Sequence, residues 1–600
     1  MSTAAAVPAP AAPRWAWLPF PGTWKYHALL VCLGVFVLGP LGGVTASYMN
    51  FSLGFFVGGQ VLAGILGSTV TFGYGAEGKH GANYLQTAAA SVAGMSAMGV
   101  LIQAMVWMGL PQPPVWQLIA YMLCIGMFGV GVGMLYTPLL VDRLQLTYPS
   151  GLAVANILRA LTDPVLLRRS VAKLGGGMAL GITGGIAASK VALLGAIELS
   201  TSTLGAGMLV GARIGIPSIT SGLLGVALIP FFVSIGWLQE GDPYRKITFL
   251  IALGMILGAA VLDIALVIRD AMRRMTGTQA VEAPQADWKR VNTMRLVAWV
   301  VVWGVGVVAT GHLVLGQPVG FLAFAVFLTF IFIVVNGISQ GMTDSNPISS
   351  AFVVSVVLMA ALGLKDPGVG LMAGMILLIS TSIGCDMQQD RSTGWRLGTN
   401  RVMQFRYQVV GVLVGAIMAV VFAKLFMAAY PVLLLDQTVM KAGEQPAEWS
   451  AAMTYKFVGV LRSLTDDKPF QRTAIWVGLA IGFALQLARL LLLKAARWQA
   501  FAKSGRAGFA TDFVVDAVLL PSPYAFTFGW FVNLHTALWF GGGGVLSSAL
   551  NSLPKAKPAN GDDMPADMST TSLVGGGLIA GDSLAALGLG IAGLAATVLA

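Results

Sequence analysis

The segment Gly384-Cys385-Asp386-Met387-Gln388-Gln389-Asp390 sets carboxylates and amides directly after an apolar run from Gly370 to Ile383. Such groups at the edge of a membrane segment are costly unless paired, hydrated or used, so they mark a candidate site. Three- and four-residue spacings put Asp386, Gln389 and Asp390 on one face of a helix. A polar helix end in water is the plainer account of the same residues.

Three other segments carry groups of similar chemistry. Asn83, Gln86 and Thr87 open a helix, and the spacing of Asn83 and Gln86 places both on one face; Asn83 as a simple N-cap is the competing account. Leu146-Thr147-Tyr148-Pro149-Ser150-Gly151 reads as a broken helix whose free backbone groups, with Tyr148 and Ser150, can face a ligand, or as a plain turn. Asp344, in Gly341-Met342-Thr343-Asp344-Ser345-Asn346-Pro347, lies between two long apolar runs. It can carry a proton or bind a cation, or cap the helix that Pro347 helps to start.

The elements that must position these groups are membrane helices. The 600 residues are 56% hydrophobic and 10% charged, whereas a soluble domain carries about 25% charge. Apolar runs long enough to span a bilayer recur along nearly the whole chain. They predict an all-α polytopic membrane protein of about 14 to 16 transmembrane helices, some broken or re-entrant. The 203–237 run is expected to break at Pro217, and a short re-entrant piece fits Ser150–Leu161. The glycine-rich spans, as at Gly176, Gly177, Gly181, Gly184 and Gly185, suit close helix–helix approach.

The expected organisation is a disordered Ala/Pro-rich tail (1–26), a first transmembrane half (27–268), a basic cytoplasmic linker (269–295) and a second half (296–600) with a polar insertion at 431–472. Gly205-Ala206-Gly207-Met208-Leu209-Val210-Gly211 resembles Gly575-Gly576-Gly577-Leu578-Ile579-Ala580-Gly581, and Pro149-Ser150 recurs as Pro521-Ser522 at nearly the same separation. Duplicated halves with a site between them are a common transporter architecture.

Other function classes find little support. The net charge of +11 sits in short connections between apolar runs, the pattern of the positive-inside rule rather than of a nucleic-acid surface. Cys32, Cys124 and Cys385 have unrelated spacings, and His27, His80, His312 and His535 are dispersed, so no disulfide framework or metal site is expected. No nucleotide-binding glycine loop is present, and the acidic pairs Asp466-Asp467 and Asp562-Asp563 lie in hydrophilic connections. The expectation is a carrier rather than an enzyme, with no cofactor.

Taken together the segments resemble the oligopeptide transporter (OPT) family, especially its yellow stripe-like branch and prokaryotic members. Leu146–Gly151 after Pro138-Leu139 looks like that branch's L-T-Y-P-S-G segment. Asp386–Gly394 is similar to D-L-M-Q-D-x-K-T-G, and Arg401-Val402-Met403 with Gln408–Gly411 to the continuation R-x-M…Q-x-x-G. Gly577-Leu578-Ile579-Ala580-Gly581-Asp582 is similar to G-L-I-x-G-D. Two departures stand out: the family's E-N-x-x-x-Q-T segment appears as Gly81-Ala82-Asn83-Tyr84-Leu85-Gln86-Thr87, without the acid, and Ser392 replaces the lysine before Thr-Gly.

The resemblance implies a multi-pass carrier of the cytoplasmic (inner) membrane, a proton symporter importing oligopeptides or peptide-like metal chelates. Its expected partners are the substrate, protons and the lipid bilayer, with homo-oligomerisation left open. Substrate contacts are expected from Asn83, Gln86, Thr87, Tyr148, Ser150, Asp386, Gln389 and Asp390, and proton coupling from Asp344, Asp386 or Asp582. A carrier for another small solute and a passive channel are the alternatives.

Overall fold

The computed structural model describes residues 13–52, 59–162, 164–276, 286–344, 346–440, 451–462, 469–493, 495–553 and 569–599. Part of the expected tail, residues 277–285 of the linker, much of the polar insertion and both acidic pairs lie outside them. Among the described residues the protein is 84% helical and has no strand, the all-α polytopic fold expected from the sequence. Twelve helices matter here. They are α1 (Gly78–Ala97), α2 (Val115–Thr137), α3 (Pro149–Thr162), α4 (Pro164–Lys190), α5 (Thr201–Val210), α6 (Arg245–Thr276), α7 (Val319–Thr343), α8 (Ile348–Ala361), α9 (Pro367–Leu397), α10 (Arg401–Ala429), α11 (Pro469–Leu492) and α12 (Thr570–Leu599).

Among the described residues, eight helices are long and apolar enough to cross a bilayer. Their burial is uneven. In the span containing α1, 94% of the most apolar stretch is buried, and in α9 89%, against 22% for Asp287–Val314 and 17% for Thr473–Leu492. The last two are largely exposed on the outside of the helix assembly. α1 and α9 are enclosed by other helices, so their polar residues face protein. Asn83, Gln86, Gln388, Gln389 and Asp390 are all buried.

Small residues allow this enclosure. A methyl group at Gly129 would stand 2.8 Å from the Ser380 carbonyl oxygen, and one at Gly133 2.6 Å from that of Gly384. α2 therefore rides directly on the backbone of α9, a contact open to glycine. α4 with α12, and α6 with α11, form two further close pairs of the same kind, with Gly581 against the Met178 carbonyl and Gly478 against that of Ile251. The Gly205 and Gly575 segments lie on α5 and α12 and pack on each other.

The 203–237 run is broken, but not at Pro217. Helix α5 ends at Gly211, whose φ of 82° and ψ of 179° suit glycine, and Pro217 sits within the next helix, Ala212–Ala227. Helix α9 starts at Pro367 with the Asp366 carboxylate accepting from the Gly368 and Val369 N–H groups, and it ends at Gly398 with φ 73°. Asn400 then caps α10, accepting from Met403 N–H. These adjacent caps turn the chain sharply between α9 and α10, and the turn brings Gln404 back against Asp390.

Candidate functional site

The four polar segments converge. α9 supplies Asp386, Gln389 and Asp390 from one face, as their spacing predicts. α1 lies along one side of this face. There the Gln86 side-chain amide donates to Asp390 Oδ1 (3.1 Å), and the Asn83 amide donates to Gln86 Oε1 (2.9 Å). Gln404 of α10 closes the cluster, donating to Asn83 Oδ1 (2.7 Å) and to the Asp390 carbonyl (3.0 Å). Thr87 returns its hydroxyl to the Asn83 carbonyl (3.0 Å). Asn83 is thus part of the buried network and not the N-cap of α1, a position held by Glu77.

α7 lies along the other side. Gln340 donates to Gln389 Oε1 (3.0 Å) and reaches Asp386 Oδ1 (3.4 Å). One turn further on, α7 ends at Asp344 in a left-handed conformation (φ 62°). Its carboxylate accepts from Gln389 Nε2 (3.0 Å), from the Ser150 N–H (3.0 Å) and from the Ser150 hydroxyl. Asp344 is therefore a cap, but of α3 rather than of the helix that follows it in sequence. A carboxylate at the first turn of α3 also complements that helix's dipole.

The Leu146–Gly151 segment is a true break. A π-helical turn, Pro138–Arg143, ends α2's course, and α3 begins only at Pro149. Between them Tyr148 takes a positive φ of 45°, which a bulky residue adopts at a cost of about 1–3 kcal/mol. Its N–H donates to the Gly341 carbonyl (2.8 Å) and its hydroxyl to that of Gly337 (3.1 Å), tying the break to α7. Gly151 abuts the Gln389 carbonyl, so α3 meets α9 at the network.

Asn83, Gln86, Thr87, Tyr148, Ser150, Asp344, Asp386, Gln389 and Asp390 thus form one seam between α1, α3, α7 and α9. Asp582 does not join it. It lies on α12, where its carboxylate accepts from the Ser202 N–H (3.0 Å) at the start of α5. Sequence reasoning missed Gln340 and Gln404. Gln340 stands four residues before Asp344 on the same helical face, and that spacing was a usable signal; the reach of Gln404 depends on the α9–α10 turn.

The chemistry of the seam is distinctive. The recorded partners of the Asp344 and Asp390 carboxylates are amides, a hydroxyl and a backbone N–H, all uncharged. Three buried carbonyl oxygens on its margins, those of the Asn336, Gln340 and Gln408 side chains, have no donor among the described residues. An unpaired buried acceptor costs about 1–3 kcal/mol, and a ligand N–H relieves it. No group of three or more His, Cys, Asp or Glu side chains able to hold a metal occurs among the described residues.

The family of OPT oligopeptide transporter proteins matches residues 28–592, nearly the entire chain. The chain belongs to this family. No curated protein matches it. Membership makes the buried seam of this multi-pass OPT protein the polar interior of a transporter, and the match takes in every residue of that seam.

Proposed function

We propose that this OPT transporter imports short peptides across the cytoplasmic membrane by proton symport, with the α1–α3–α7–α9 seam as its substrate and coupling site. The observation that carries the proposal is the set of uncharged partners around Asp344 and Asp390. A carboxylate locked to arginine is held in its charged form. One held by glutamine is not, because a side-chain amide donates its NH2 to a carboxylate and offers its carbonyl to a protonated carboxyl. The seam can therefore accommodate both protonation states with little rearrangement.

Peptide is the cargo that suits the remaining groups. A peptide brings a terminal ammonium and a series of N–H donors. The unpaired oxygens of Asn336, Gln340 and Gln408, together with Asp386, offer acceptors for them. The Tyr148 break and the N-terminus of α3 lie beside the same acids, a helix discontinuity of the kind that lines a transporter's substrate site. The motifs shared with the yellow stripe-like branch keep peptide-like metal chelates as the second cargo, the metal travelling with its own ligands.

The test is uptake of di- to tetrapeptides, alone and as iron chelates, into proteoliposomes under an imposed inward proton gradient, with Asp386→Asn beside the wild type. Uphill accumulation by the wild type that is lost in the variant is expected. Wild-type protein that equilibrates peptide without concentrating it would show a passive pathway and overturn symport. Failure to take up either cargo would overturn the substrate class.

A further inference from the structure

Arg391 stands apart from the seam on its own helix. It follows Asp390 directly, but one residue is about 100° around a helix. Asp390 faces α1, and Arg391 faces α2. It is 1% exposed and is the largest fully buried side chain among the described residues. At one end of the guanidinium, Nη1 donates to the Thr137 hydroxyl oxygen (3.2 Å). Thr137 in turn bonds Gln388 Oε1 (3.0 Å) and the Gly133 carbonyl (3.1 Å), so that end is anchored in a settled group.

The other end is not. Nε and Nη2 have no acceptor among the described residues. These two N–H groups form one edge of the guanidinium plane, the side-on edge that a carboxylate bridges with two parallel hydrogen bonds. Buried N–H groups without an acceptor are unfavourable, and a carboxylate is the partner whose two oxygens match this edge. The nearby acids are already engaged. Asp142 takes both guanidinium nitrogens of Arg401, at 2.7 and 2.8 Å, and Asp390 is held by Gln86. The charges of Arg401, Asp390 and Asp142 all reach Arg391, but none of the three side chains bonds its Nε–Nη2 edge.

We propose that the Nε–Nη2 edge of Arg391 binds the carboxylate of the transported substrate, making Arg391 the residue that selects free-acid peptides. The inference rests on the peptide reading above and sharpens it. The amino end of the peptide is assigned to the acids and open carbonyls of the seam, and the carboxyl end to the α2 face of α9. Occlusion of the edge in this structure fits a site exposed only when the surrounding helices part, as alternating access demands. Where the resembling motif has lysine just before Thr-Gly there is Ser392, and the cation stands one residue earlier, turned to α2.

The experiment compares proteoliposome uptake of trialanine and trialanine amide by wild type, Arg391→Gln and Arg391→Lys. Thermal stabilisation of each purified protein by the two peptides is the second readout. A bidentate charged contact gives the wild type a preference for the free acid of about ten- to a hundredfold. Arg391→Gln is expected to lose that preference, and Arg391→Lys, charged but without the fork, to keep a fraction of it. If Arg391→Gln is too unstable to reconstitute, the Lys variant alone decides, since full wild-type preference with lysine would exclude the fork. Wild-type uptake of both peptides at equal rates overturns the Arg391 assignment and leaves peptide transport standing. Uptake of neither overturns both.

Discussion

The protein handles its carboxylates in two ways. Three outside the seam are clamped by arginine: Asp142 by Arg401, and Asp512 and Asp516 by Arg213, with Arg489 also on Asp516, each at 2.7–2.8 Å. Those in the seam, Asp344 and Asp390, are held by glutamine, serine and backbone N–H. A clamped acid has one charge state and serves the fold. An acid whose recorded hydrogen bonds come from neutral groups can change state, and inside a membrane protein that freedom is expensive enough to indicate use.

Neutralising a seam acid tests the contrast most severely. Asp390→Asn keeps the shape and an acceptor for Gln86, so the stability cost is expected to stay below about 1 kcal/mol. Uphill peptide accumulation should nonetheless fall to the level of empty liposomes, and Asp344→Asn should behave likewise. Exchange of labelled for unlabelled peptide without a gradient should survive, because exchange needs binding but no net proton movement. Accumulation persisting in both variants would remove the seam from the coupling step.

The clamped acids should behave in the opposite way. Arg401→Met leaves Asp142 without its main partner. The expected loss is about 2–3 kcal/mol, below that of a fully buried pair because Asp142 keeps some hydration and Lys289 stands 3.9 Å away. Adding Asp142→Leu should recover most of it, since an apolar pair replaces an ion pair at little net cost. Thermal unfolding in detergent measures both, and gradient-driven accumulation should persist in the folded protein. A transport defect without loss of stability would place this pair in the mechanism.

Asp582 provides the intermediate case, an acid outside the seam whose recorded partner is a single backbone N–H. Asp582→Asn retains an acceptor for Ser202 and should cost less than the roughly 1 kcal/mol of a lost cap. Uphill accumulation is expected to persist. Its loss would extend the coupling site to α12 and break the division drawn here.

The sequence made one side of this division far more legible than the other. Helix-face spacing grouped Asp386 with Gln389 and Asp390, and Asn83 with Gln86, because both pairings are local. The break at Tyr148 was readable from Pro149 and Gly151. That these segments meet was not, because the meeting depends on glycines at α2–α9 and α3–α9 crossings whose partners lie far away in sequence. Asp344 shows the gap best. Its capping role could be read, but the helix it caps begins at Pro149, nearly two hundred residues earlier. Arg391 was invisible for the same reason, since an arginine beside an aspartate reads as a local pair until the helix turns them to different faces. Pro217 misled in the other direction. A proline is the conspicuous breaker, yet Gly211 ends the helix through a backbone conformation that leaves no clear trace in composition.

The smallest expected effect concerns the clamped set and pH. Burial acts to raise the Asp512 carboxyl, but the Trp498 N–H and the Arg213 guanidinium outweigh it and hold the group below the ordinary carboxylate range. A carboxyl lowered by folding adds stability that is complete above its unfolded value, near pH 4, and is lost as pH falls through the folded value. Detergent-purified protein should therefore lose stability below about pH 4, by about 0.5 kcal/mol for this partly exposed pair. Asp512→Asn should remove that increment while leaving the proton dependence of uptake at higher pH unchanged. A clamped acid would then titrate only where the fold itself begins to fail, and the proton dependence of transport would belong to acids that no arginine holds.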